Sequence, residues 1–96
     1  MFFVVCRRRG LRWDASLPLE QQERWTEHAD FMDGLVNDGF VVLGGPLADE
    51  EAVVLAVEAR AEEHVRATLA RDPWHETHLV VERVGAGTIR LDGREP

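Results

Sequence analysis

The chain has 96 residues and a formal net charge of −7, and its eleven basic residues are all arginine. That length makes one small domain, spanning residues 1–96, and an acidic chain without lysine is poorly suited to nucleic acid or an anionic membrane. A hydrophobic content of 45% excludes a disordered body, and the single cysteine, Cys6, excludes a disulfide-stapled secreted scaffold, so a cytoplasmic location is expected.

The apolar run Phe2–Cys6, with its β-branched and aromatic residues, predicts the first strand. It is too short for a membrane span or the apolar region of a signal peptide. Arg7 to Pro18 reads as a polar connection. Its arginines at 7, 8, 9 and 12, with Trp13 nearby, form a concentrated basic patch that suits an anion, a solvated loop or a dimer contact. Ser16 or Pro18 can open a helix over Leu19–Asn37, where Trp25, Ala29, Met32, Leu35 and Val36 recur at intervals of three and four. Gly39 ends it, being the residue best able to turn left-handed.

Phe40–Leu43 and Ala52–Val57 predict strands two and three, with Gly44-Gly45-Pro46 and Asp49-Glu50 as the hairpin between them. The second helix is expected over Arg60–Arg71, with Ala61, Val65, Thr68 and Leu69 inward. Glu62 and Glu63 suit its positive end and Arg66 and Arg71 its negative end. Pro73 stops it. Leu79–Val84 predicts strand four, and Thr88–Leu91 a short edge strand within a glycine-rich tail, 85–96, expected to fray.

The order β-α-β-β-α-β is the ferredoxin-like α+β arrangement, an antiparallel four-stranded sheet with two helices on one face. Strands one to three show little polar alternation, the pattern of a sheet covered on both faces. Two helices cover one face, so the other calls for a second copy. A homodimer is expected, with its sheets packed face to face into a barrel.

Two side chains break the helix rules. His28 stands in the apolar stripe of the first helix, where it is either a general acid or base or a core histidine hydrogen-bonded to a neighbour. Asp72 continues the inner stripe of the second helix at its negative end, unless it sits in an Asp-Pro turn with its carboxylate in water. A misplaced imidazole and a misplaced carboxylate are natural partners. Around them, Arg24, Phe31, Gly45, Pro46 and Trp74 are the candidate substrate contacts. Arg24 can fix an anionic group or pair on the surface with Glu20 or Glu27, and Gly45-Pro46 can bring bare backbone to a ligand or merely turn a hairpin.

His75-x-x-His78 beside Asp72 has two imidazoles and one acid but no fourth ligand nearby, and no metal is expected there. His64 is expected on an exposed helix face and Cys6 as inert core. Gly85-Ala-Gly87 lacks the third glycine and the helix of a dinucleotide fingerprint, so no cofactor is expected.

With His28, Gly44-Gly45-Pro46 and Asp72-Pro73-Trp74 in this order, the sequence resembles the YCII-related (YciI-like) family of the dimeric α/β-barrel superfamily, from strand one to about Val84. The resemblance implies that the histidine and aspartate of the family's active-site pair fall on His28 and Asp72. It also implies chemistry of the kind one family type performs, elimination of chloride from a chlorinated hydroquinone. The chain departs from the pattern where Trp25 occupies the place of an arginine, with Arg24 displaced by one, and where an aromatic-rich strand is reduced to Gly87-Thr88-Ile89.

The expected function is proton transfer of lyase or isomerase type on a small, aromatic or anionic molecule. His28 would act as acid or base, and Asp72 would orient it. The alternative is a non-catalytic ligand-binding or interaction module. An RNA-binding ferredoxin-like domain is disfavoured by the acidity and by the lack of paired aromatics on a basic strand.

Overall fold

In the computed structural model, which describes residues 1–49 and 51–94, the first strand outruns its apolar segment. β1 covers Phe2–Arg9, so Arg7, Arg8 and Arg9 lie in the sheet instead of the expected loop. The reason is the period of two: Phe3, Val5 and Arg7 point to one side and are 2%, 0% and 1% exposed, whereas Val4 between them is 39% exposed. Gly10 follows at once and lies against the Thr77 carbonyl, leaving no room for a Cβ.

The remaining elements are α1 (Trp25–Asn37), β2 (Val41–Pro46), β3 (Ala52–Glu58), α2 (Glu62–Leu69) and β4 (Leu79–Gly87). The strands form one antiparallel sheet ordered β2-β3-β1-β4, which is the ferredoxin-like topology. Phe3 faces Val57 and Val5 faces Leu55 across β1 and β3, and these residues form the core with Leu35 of α1 and Val65 and Leu69 of α2. Both helices therefore cover the same face. The other face presents Phe2, Val4, Cys6, Leu43, Gly45, Val54 and Ala56. Cys6 is half-buried there and does not belong to the helix-side core.

Several boundaries differ from expectation for local reasons. Gly44-Gly45-Pro46 is the end of β2, paired with Leu55, Val54 and Val53, and not a turn. Proline is tolerated because β2 is an edge strand. The chain turns after Pro46, and Leu47 N–H closes the connection on the Ala52 carbonyl at 2.9 Å. Glu50 of the expected hairpin, and Glu95 and Pro96 of the expected tail, lie outside the described residues.

The first helix begins at Trp25, and Leu19–Gln21 forms only a 3₁₀ turn. Arg24, between them, has φ of 64°, which interrupts any continuous helix. Gly39 ends α1 at φ 79°, with Phe40 N–H bonded back to the Leu35 carbonyl. The second helix is shorter at both ends than Arg60–Arg71. Thr88–Leu91 form no strand, β4 having run on to Gly87. No described helix is long and apolar enough to cross a membrane.

Candidate active site

Asp72 owes its position to a turn, not to a helix stripe. α2 stops at Leu69, and Asp72-Pro73-Trp74 then folds so that the Trp74 N–H donates to Asp72 Oδ1 at 2.8 Å. Aspartate readily accepts from the backbone two residues on, and proline at the middle position fixes φ for such a turn. The carboxylate is aimed inward, with its side chain fully buried.

Two further groups meet it. Arg7, on the covered face of β1, donates from Nη2 to Oδ2 at 2.6 Å. His28, in the first turn of α1, places Nδ1 2.8 Å from Oδ1 and 3.0 Å from Oδ2. Burial works against the charge on Asp72, but the His28 hydrogen bond, the Arg7 charge and hydrogen bond, and the Trp74 N–H outweigh it. The carboxyl is held below its ordinary range. Asp72 is therefore a carboxylate near neutral pH and can only accept, so the His28 nitrogen facing it, Nδ1, is the one that donates. The His28 Nε2 has no hydrogen-bond partner among the described residues and is not sealed from solvent, so it is the nitrogen free for chemistry.

The imidazole is also fixed by stacking. His28 lies on Trp74 at 4.0 Å between ring centroids and 9° between planes, and His78 covers the other face of Trp74 at 4.9 Å and 19°. Trp74 Nε1–H donates to the Glu23 carbonyl at 2.7 Å, which ties this stack to the start of α1. Burial pushes the His78 imidazole below its ordinary value; Arg12 and His28 reinforce this and Glu23 and Asp72 oppose it.

His28, Arg7 and Trp74 open onto a cleft of about 970 Å³. One wall is the segment from Trp13 to Glu20. Gln22 pins it by accepting from Asp14 N–H at 3.0 Å and donating to the Asp14 and Leu17 carbonyls at 2.6 and 3.1 Å. The opposite wall is β2, including Gly44, Gly45 and Pro46.

The residues singled out from sequence thus divide. His28 and Asp72 meet, Gly45 and Pro46 line the cleft, and Trp74, 1% exposed, serves mainly as the plate under His28. Arg24 and Phe31 lie outside the cleft. Arg24 is exposed and bonded to Glu27 at 2.6 and 2.9 Å, whereas Phe31 packs against the core beneath Arg71. His64 is half-buried with its edge near Phe40, not fully exposed. His75 and His78 go to different neighbours, Glu76 and Thr77. Among the described residues no three His, Cys, Asp or Glu side chains gather as a metal-ligand group. The reading from sequence had Arg7, Arg9 and Trp13 in a basic patch of a loop, one of whose readings was an anion site, but did not join them to His28 and Asp72, and it missed Gln22. No alternation marks Arg7 in the sequence, since Phe2–Cys6 is apolar throughout and residues 7–9 are all arginine.

No family model matches the chain, and no curated protein matches it. Among solved structures it is similar to 5-chloro-2-hydroxyhydroquinone dehydrochlorinase (TftG) from Burkholderia phenoliruptrix AC1100, in complex with 2,5-dihydroxybenzoquinone. The TM-score is 0.52 at 22% identity, over 86% of this chain and 92% of that chain. The likeness is one of fold, and it agrees with the ferredoxin-like order of the sheet.

Proposed function

We propose that the chain is a small-molecule enzyme of lyase or isomerase type, of the YciI-like kind, with His28 as its proton-transfer group. The observation that carries this reading is the buried line Arg7–Asp72–His28 ending at a cleft, with one imidazole nitrogen bonded to an ionised carboxylate and the other free. Nε2 would take a proton from a substrate C–H or O–H, and Asp72 would stabilise the resulting imidazolium. Arg7 keeps Asp72 ionised and aimed. In an elimination, the released C–H electron pair forms the new double bond as the leaving group departs as an anion. In an isomerisation, the imidazolium returns the proton to a second carbon. The similar dehydrochlorinase acts on a chlorinated hydroxyhydroquinone, so substrates of that chemistry are the place to begin.

The helix-free face of the sheet, lined by Val4, Leu43, Val54 and Ala56, supports a homodimer closed into a barrel. The free Cys6 fits a cytoplasmic setting. A dimer should show twice the chain mass in solution, and Val4→Glu should return it to a monomer.

The test of the chemistry is turnover of chlorinated and unsubstituted hydroxyhydroquinones by wild type and His28→Ala. General acid–base catalysis predicts a loss of about 10²–10⁴-fold in rate, with ligand affinity comparatively intact. Binding without turnover in the wild type would make the cleft that of a non-catalytic module.

A further inference from the structure

Two arginines line the cleft, and they are not equivalent. Arg7 is committed to Asp72. Arg9, two residues on along the same face of β1, has no carboxylate partner among the described residues; its guanidinium lies over Trp13, with Cζ 4.5 Å from the ring centroid. Its Nε is shielded from solvent and has no acceptor, as is also true of Arg7 Nε. A buried donor without an acceptor is unfavourable, because it has lost its water and gained no partner. The chain is not short of acceptors, having 18 acidic residues. Glu20, Asp33 and Glu51 even line this cleft, but all three are exposed and none of their carboxylates pairs with the Arg9 guanidinium; Glu51 meets Arg9 only through the main chain.

The aromatic surroundings narrow the ligand further. All three tryptophans of the chain converge here, Trp13 and Trp25 lying 5.7 and 5.8 Å from Trp74. The faces of Trp74 are taken by His28 and His78, so Trp13 and Trp25, both half-buried, supply the aromatic wall. A guanidinium held over an indole is restricted in position, and its fork matches a planar oxyanion.

We propose that Arg9, held on Trp13, is the anion-recognition residue of the cleft and selects a planar aromatic ligand bearing a carboxylate or phenolate. Only the ligand's orientation, with its reacting proton toward His28, rests on the proton-transfer reading given above.

Calorimetric titration near neutral pH with 2,5-dihydroxybenzoate, 4-nitrocatecholate and neutral hydroquinone tests it. Wild type should bind at least one anion about tenfold more tightly than hydroquinone. Arg9→Gln should abolish that preference and leave hydroquinone affinity unchanged, and Arg9→Lys should restore part of it. Arg60→Gln, which removes the same charge outside the cleft, should leave the preference alone. Whichever anion is favoured identifies the oxyanion as carboxylate or phenolate.

The proposal is overturned if wild type binds the neutral and anionic rings equally, if Arg9→Gln keeps the preference, or if no probe binds at millimolar concentration. His28→Ala separates the two readings. An Arg9-dependent preference in a wild type that turns over nothing sinks proton transfer and keeps this site. Turnover that depends on His28 but is indifferent to Arg9 does the reverse.

Discussion

The covered face of the sheet has an apolar end and a charged end, built on one stripe of one strand. At the first end Phe3 and Val5 pack with Leu55 and Val57 beneath Leu35, Val65 and Leu69. At the second the stripe continues as Arg7 and Arg9 and meets His28 and Asp72. Val5 and Arg7 are almost equally buried, at 0% and 1% exposure, but the energetics differ. Apolar area contributes about 25 cal/mol per Å² removed from water. A buried ion pair returns little beyond the cost of its own desolvation, and apolar residues of similar volume often hold a fold as well or better. The charged end is therefore hard to explain as a stabilising device, which is why it is the place to look for function.

The largest expected effects come from breaking either end. Asp72→Ala leaves the Arg7 guanidinium buried without a counter-charge and should cost about 3–5 kcal/mol in urea unfolding. That is a large share of a small domain's stability. Phe3→Ala should cost a similar ~3–5 kcal/mol through a cavity, without altering the affinity of the folded fraction for ligand. The ends part company in the double replacement Arg7→Met with Asp72→Leu. It should return close to wild-type stability, or above it, while the activity assigned to His28 stays lost. A double variant as unstable as Asp72→Ala would mean that the charges carry the fold, and the comparison would fail.

Acid sharpens the contrast, because only the charged end titrates. His78 is held below its ordinary value of 6.5 by burial against Trp74. The unfolded chain then takes up a proton that the folded chain refuses. Stability falls as pH drops below about 6.5 and continues to fall until the folded-state pKa is passed, at up to about 1.4 kcal/mol per pH unit. Asp72, also lowered, contributes above the ordinary carboxylate range and loses that contribution only as pH falls below it. His78→Phe keeps a ring on Trp74 and should flatten the upper of these two windows. Phe3→Ala should lower the whole stability curve without changing its slope there.

The element order was legible because strands of period two and helices of period 3.6 write themselves into the apolar pattern. The positions of His28 and Asp72 were also legible, as two ionisable groups standing where local rules place apolar ones. Asp72 was located correctly in space for a partly wrong reason. The stripe of α2 ends at Leu69, and the Asp-Pro-Trp turn does the aiming. Arg7 was not legible as the central cation, because three consecutive arginines look like a solvated loop. Only the Asp72 carboxylate, sixty-five residues away, explains the burial. Gly44-Gly45-Pro46 misled in the opposite direction, since turn-forming residues are also permitted on an edge strand. The wall from Trp13 to Glu20 depends on Gln22 bonding to backbone groups well before it, and no local pattern announces that.

The smallest effect is expected at Arg24, which shares its residue type with Arg7 and little else. Arg7 is buried and bonded to the site; Arg24 is exposed, paired only with Glu27, and held at a φ of 64° where α1 begins. A left-handed φ suits glycine, and an exposed ion pair contributes little. Arg24→Gly should therefore raise the thermal midpoint slightly and leave ligand affinity and the Arg9-dependent anion preference as they were. A clear loss of affinity with stability preserved would show Arg24 reaching the ligand after all. The charged end would then extend beyond β1 to the start of the helix that carries His28.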